Sequence, residues 1–220
     1  MWVIKSELTS FWVFLLFFLL FLGVHELYRN QKVEARYFLR FFDFNTYLRV
    51  YGHERDISFQ RPFLVGIYFF CLIIFSFFSC VLVAHFKGAT YSVRVFLFSF
   101  GILLSLTVGR FILFRFLSWL FDIQRLSKWI LFRTLACYGV LAVLLYGICA
   151  LYMYAPFENN FIFLQLGMGL FVVGHVFIHI NTYYLVAQRN RKSIFYLFLY
   201  ICTLKIAPLV WVFVWTKSII

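Results

Sequence analysis

The sequence predicts an all-α polytopic membrane protein: a bundle of six transmembrane helices, with interfacial amphipathic helices in its cytoplasmic loops. Three observations predict it. Hydrophobic residues make up 65% of the 220 positions and charged residues only 13%, against about 45–50% and about 25% in an ordinary soluble domain. The apolar residues gather into runs of about 20, the length a helix rising ~1.5 Å per residue needs to cross ~30 Å of hydrocarbon. Finally, Lys and Arg crowd into alternate loops between those runs. The runs fall at about 8–27, 63–86, 92–110, 129–154, 161–185 and 193–215. They leave no stretch for a separate soluble unit, so residues 1–220 read as a single integral membrane domain.

The first run, FWVFLLFFLLFLGV, has the apolar character of a signal peptide. Lys5 is offset by Glu7, however, and no small-x-small cleavage site follows, so a retained helix is expected. Between spans one and two lies the one substantial polar segment. There Val33, Tyr37, Phe41, Phe44 and Leu48 recur at helical spacing, beside a stripe of Arg29, Lys32, Arg36, Arg40 and Asp43. That pattern predicts either a helix in the headgroup region, its aromatics in lipid and its arginines on phosphates, or one packed beneath the bundle. Arg29, Lys32, Arg36 and Arg40 are the candidate headgroup contacts.

Span three carries Gly101, Ser105 and Gly109 at i, i+4, i+8, a face of small residues that would let a neighbouring helix approach closely. Its terminal Arg94 and Arg110 can snorkel to opposite interfaces. The following stretch, 111–128, is too charged to be buried and too aromatic for a free loop. It reads as a second interfacial element, with Trp119 at headgroup depth. APFENN then turns span four into span five, and Arg189, Arg191 and Lys192 precede span six.

Fifteen of the twenty Lys and Arg lie between spans one and two, three and four, or five and six; four lie on the other side. Such asymmetry places the basic loops in the cytoplasm and both termini in the periplasm of a bacterial inner membrane. It also explains the net charge of +12 through anionic lipid and topology, with no nucleic-acid role. The five cysteines all fall inside apolar spans and form no CxxC, so they read as small hydrophobes rather than disulfides or metal ligands.

Two polar features stand out within the spans. Lys205 lies about 12 residues inside span six, ~18 Å along the axis and close to the midplane. Insertion at that depth costs roughly 2.5–3.5 kcal/mol. No acidic residue of this chain matches its depth, so it must be neutral, face internal water, or meet a carboxylate from a membrane-protein partner. Pro208 leaves the carbonyl of Leu204 free beside it. His175 and His179, at i, i+4, share a helix face and extend a stripe of Gln165, Met168, Val172 and Thr182. They are placed to pass a proton or hold a ligand. A metal would need a third ligand that no other span offers at that depth, so neither a metal nor any other cofactor is expected. HExxH, GxSxG and phosphate-cradling glycine loops are lacking, and no residue is assigned as catalytic.

The final stretch, with Tyr200, Ile201, Cys202, Leu204, Ile206 and Pro208 following an aromatic run, resembles the closing helix of a family of uncharacterised multi-pass inner-membrane proteins of Bacteroidota, a domain of unknown function. FLSWLFDI, around Trp119, Leu120 and Phe121, is similar to that family's link between its middle spans. The resemblance implies location and fold and brings no activity. It also implies that an acidic residue is common where this chain has Lys205, a reversal that weakens a proton carrier built on that position. The leading expectation is therefore a structural or assembly subunit of a cell-envelope complex. A small proton-coupled carrier lined by Lys205, His175, His179 and Gln165 comes second, and an intramembrane lipid-modifying enzyme third.

Overall fold

A computed structural model describes residues 11–39, 47–48, 51, 61–87, 92–120, 124–154 and 161–189. Those residues form six α-helices: α1 (Phe11–Asn30), α2 (Lys32–Leu39), α3 (Pro62–Lys87), α4 (Val93–Leu120), α5 (Gln124–Tyr154) and α6 (Phe161–Arg189). All but α2 are long and apolar enough to cross a membrane. The sixth expected span, 193–215, lies outside the described residues, and Lys205 with it.

Helix α3 is the axis of the assembly. It packs against α1, α4 and α5, and α6 completes a hairpin with α5. Pro62 starts α3 at the position where its fixed φ suits a helix and its missing N–H costs nothing. Ile74 and Phe77 are fully buried half-way along it. Phe17 of α1 meets Phe77 edge-on at 5.2 Å and also contacts Tyr146 of α5. Val13, Phe17 and Leu20 form the buried side of α1, whereas Phe14, Phe18 and Phe21 point outward. An apolar belt of this extent is out of place in water and is the surface a bilayer solvates.

Serine and threonine hydroxyls inside the bundle bond back to the helix that carries them. Ser79, Thr134 and Thr182 donate to carbonyls one turn back, at 2.8, 2.7 and 2.7 Å. Such back-bonding lets a polar group sit where no water reaches. Glycines fix the closest approaches: a Cβ on Gly139 would lie 2.8 Å from Ile67 and 2.9 Å from the Phe38 ring, and one on Gly174 would lie 2.8 Å from Leu141.

Two expectations change. The stretch 111–128 does not form a separate interfacial element. Its described residues continue α4 to Leu120 and start α5 at Gln124, held together where buried Phe114 packs with Ile130. Charge does not end the helices there: Arg110, Arg115 and Lys128 all occupy helical positions, with Arg115 and Lys128 exposed and Arg110 half-buried.

On α2 the buried face is Glu34, Ala35 and Phe38, while Val33 is 65% exposed. That face is one residue, about 100°, away from the apolar stripe read in the sequence. Phe38 sits against Phe63, so α2 packs onto the end of the bundle. Gly101 and Gly109 have open space around them and Ser105 is exposed. Among the described residues no neighbouring helix fills that small-residue face of α4.

Candidate functional site

The histidine pair of α6 is completed by a residue of α5. The Tyr138 hydroxyl lies 2.8 Å from Nδ1 of His175 and 2.9 Å from Nε2 of His179. The two imidazoles stand 4.5 Å apart, nearly perpendicular. Each of the three residues is about 14 to 18 positions from the start of its helix, ~21–27 Å along the axis and well inside the apolar window. His179 is buried and His175 half-buried. Phe75 of α3 meets the Tyr138 ring edge-on at 6.0 Å, Phe171 flanks His175, and Tyr183 stacks on His179 at 6.1 Å.

This geometry constrains the protons. A phenol has one O–H to donate and lone pairs to accept, and a neutral imidazole has one donor and one acceptor nitrogen. The hydroxyl therefore donates to one histidine and accepts from the other, which allows two arrangements. In one, Tyr138 donates to His175 Nδ1 and accepts the Nε2–H of His179. In the other, His175 Nδ1–H donates to Tyr138, which donates to His179 Nε2. The two interconvert when a proton is added at His179 Nδ1, each bridging proton shifts one place, and one is released from His175 Nε2. Chemically, three groups bonded in this order can pass a proton from α6 to α5 and back.

Gln165 is exposed, Met168 half-buried and Val172 58% exposed. The expected polar stripe thus turns inward only at its far half, at His175, His179 and Thr182. Small residues set the rotation instead. Gly167 and Gly174, seven positions apart, bring α6 against Phe78, Ile148 and Leu141. Tyr138 was not singled out in the sequence, because one tyrosine among fourteen on an apolar helix carries no periodic signal. Arg29, Lys32 and Arg36 are exposed, with Arg29 paired to Glu26 at 3.2 Å; Arg40 lies outside the described residues. Among the described residues no group of three His, Cys, Asp or Glu is gathered as a metal site.

A second polar cluster, also missed in the sequence, lies at the end of the bundle. Glu34 is buried and accepts a 3.4 Å hydrogen bond from the fully buried Tyr47 hydroxyl. Burial raises the carboxyl above its ordinary value of 4.5; the nearby Arg61 guanidinium and the Tyr47 bond pull it back in part. Burial, aided by Glu34, likewise pushes the Tyr47 phenol far above its usual range.

Residues 10–215 match the family described as Domain of unknown function (DUF4271). The chain belongs to that family. The match spans every described helix of this DUF4271 member, including the Tyr138–His175–His179 cluster. No curated protein and no solved structure matches it significantly.

Proposed function

We propose that this protein is a small proton-coupled carrier of a bacterial inner membrane, with Tyr138, His175 and His179 as its proton-carrying site. The observation that supports the reading is the hydroxyl held between two imidazole nitrogens at the middle of two membrane-length helices. Ionisable groups at that depth are costly and mark ion pathways. Histidine is suited to the task because its unperturbed pKa lies near neutrality. The reading keeps both termini periplasmic and, through the family resemblance, a Bacteroidota source. It shifts weight from Lys205 to Tyr138, while Lys205 remains a candidate for the same path.

The test is proton flux into proteoliposomes, followed with an internal pH dye under an imposed gradient and a panel of small solutes. Wild-type protein should carry protons, and Tyr138→Phe, which keeps the ring and removes the hydroxyl, should lower the flux at least tenfold. Flux equal in the two proteins, or none in wild type, removes the reading.

A second reading, a subunit of an envelope complex, is supported by the open face of Gly101, Ser105 and Gly109 on α4. A partner helix could approach closely there, and its carboxylate could meet Lys205. Affinity purification in mild detergent should then recover a stoichiometric partner, weakened by Ser105→Leu and by Lys205→Leu. A monodisperse protein with no partner counts against it.

A further inference from the structure

We infer that the slot between α3, α4 and α5 binds one acyl chain of an anionic phospholipid, with the headgroup at Arg110. The slot encloses about 350 Å³, within the ~300–1,000 Å³ of small-molecule sites. Its walls come from three helices: Leu64 and Val65 of α3, Val108 and Phe111 of α4, and Leu131 and Leu135 of α5. From the level of Leu131 to that of Tyr138 at its inner end is seven residues, about 10 Å along the axis. The shape is a short apolar channel.

Its hydroxyls are already engaged. Tyr68 and Thr107 bond one another at 2.9 Å, and Thr134 donates to the Ile130 carbonyl at 2.7 Å. A guest therefore meets mostly apolar walls whose hydroxyls are already committed, and a polar guest would lose its water without replacement along them. One lining residue is charged, and it lies at one end. Tyr68 and Thr107 mark the level at which α3 and α4 face each other. Arg110, three residues further along α4, is ~4.5 Å closer to the Pro62 end of α3, the side of the basic segment carrying Arg61.

The opening is flanked by Val65, Val108 and Phe111, which are 39%, 43% and 37% exposed. They face outward from helices of membrane length, where the surrounding medium is lipid. An apolar channel entered from hydrocarbon, with a cation at its interfacial end, fits an acyl chain joined to a phosphate. A guanidinium binds phosphate through paired N–H donors. The inference stands on the slot alone and is independent of the proton relay, although Tyr138 closes the slot's far end.

The test uses full-length protein in nanodiscs of phosphatidylcholine and phosphatidylglycerol, doped with phosphatidylglycerol carrying a photoactivatable diazirine on one acyl chain. Crosslinks mapped by mass spectrometry should concentrate in residues 64–68, 107–111 and 131–135. They should fall at least fivefold in Leu135→Trp, which fills the slot. Arg110→Gln should erase the preference over the same probe on phosphatidylcholine. Should Leu135→Trp fail to fold, Val108→Trp at the exposed edge carries the test. Labelling spread evenly over the outer faces of α1 and α6, labelling unmoved by the filling substitution, or Val108 crosslinked instead to the chain's own 193–215 stretch overturns the inference.

Discussion

Two side chains set the character of the polar interior, Tyr138 and Glu34, and each has a measurable signature. Tyr138→Phe keeps the aromatic contact with Phe75 but removes both hydrogen bonds to the histidines. Each buried group left without its partner costs roughly 1–3 kcal/mol, so the unfolding midpoint should fall by a corresponding amount. In a double-mutant cycle with His175→Ala, the two losses should fall short of additivity by about 0.5–3 kcal/mol, because both substitutions break one shared bond. Strict additivity would mean the three residues do not act as a unit.

Glu34 makes a prediction in pH. Its native pKa lies above 4.5 because burial disfavours the charged form, so the native state holds the proton more tightly than the unfolded chain. The stability contributed is fully present below pH 4.5 and is lost as pH rises through the native pKa. Thermal melts of wild type should therefore decline as pH rises above 4.5 relative to Glu34→Gln, whose corresponding contribution is flat. Parallel pH profiles for the two proteins would mean the carboxyl is solvated in the native state.

At the scale of elements, hydropathy alone located five long helices to within a few residues at most ends, because crossing a bilayer demands length before sequence detail. The rotation of each helix about its axis was less legible. For α6 the polar residues Gln165, His175 and His179 suggested the inward face, yet Gln165 points outward and Gly167 and Gly174 make the contacts. In lipid, apolar and polar periodicity both lose force, since a leucine is equally at home inside and outside the bundle, and close approach selects small residues. The same logic hid Glu34 on α2, where the aromatic stripe drew the eye to the face one residue away. Small size alone likewise does not say which glycines have a neighbour: among the described residues Gly139 and Gly174 have one and Gly101 and Gly109 do not.

The contacts do say so. Gly139 faces Ile67 and Phe38, both buried in the core, and the Phe38 ring is hemmed in by Phe63 and Tyr47. Gly139→Val should force them apart and cost roughly 1–3 kcal/mol, as overpacking of a dense interior does. Gly101→Val, with nothing within 4 Å, should leave the melting temperature of the purified protein unchanged. Equal destabilisation by both would contradict the packing described for α3 and α5.

For the whole molecule, the distribution of charge makes the strongest statement. Fifteen of the twenty basic residues fall in alternate gaps between the apolar runs and four in the other gaps or at the ends, a bias that predicts a single orientation, since Lys and Arg in short loops resist translocation. The helices α4 and α5 enlarge the basic end, running on beyond Arg110 and before Lys128 to carry Phe114 and Ile130 into a small cluster of their own. Arg110 at the slot, Glu34 with Tyr47, and the exposed Arg29, Lys32 and Arg36 all gather toward this same end. The orientation can be read with a membrane-impermeant maleimide on intact spheroplasts. Native Cys71, Cys80 and Cys149 are buried and supply little background. A cysteine replacing Gly88, between the second and third spans, should label from outside. One replacing the exposed Lys128 should label only after permeabilisation. The reverse pattern would invert the bundle and place the basic end, with Arg110 and its slot, toward the periplasm. Labelling at both sites from outside would mean that the 92–110 run does not cross at all, and the charge asymmetry would then need another origin.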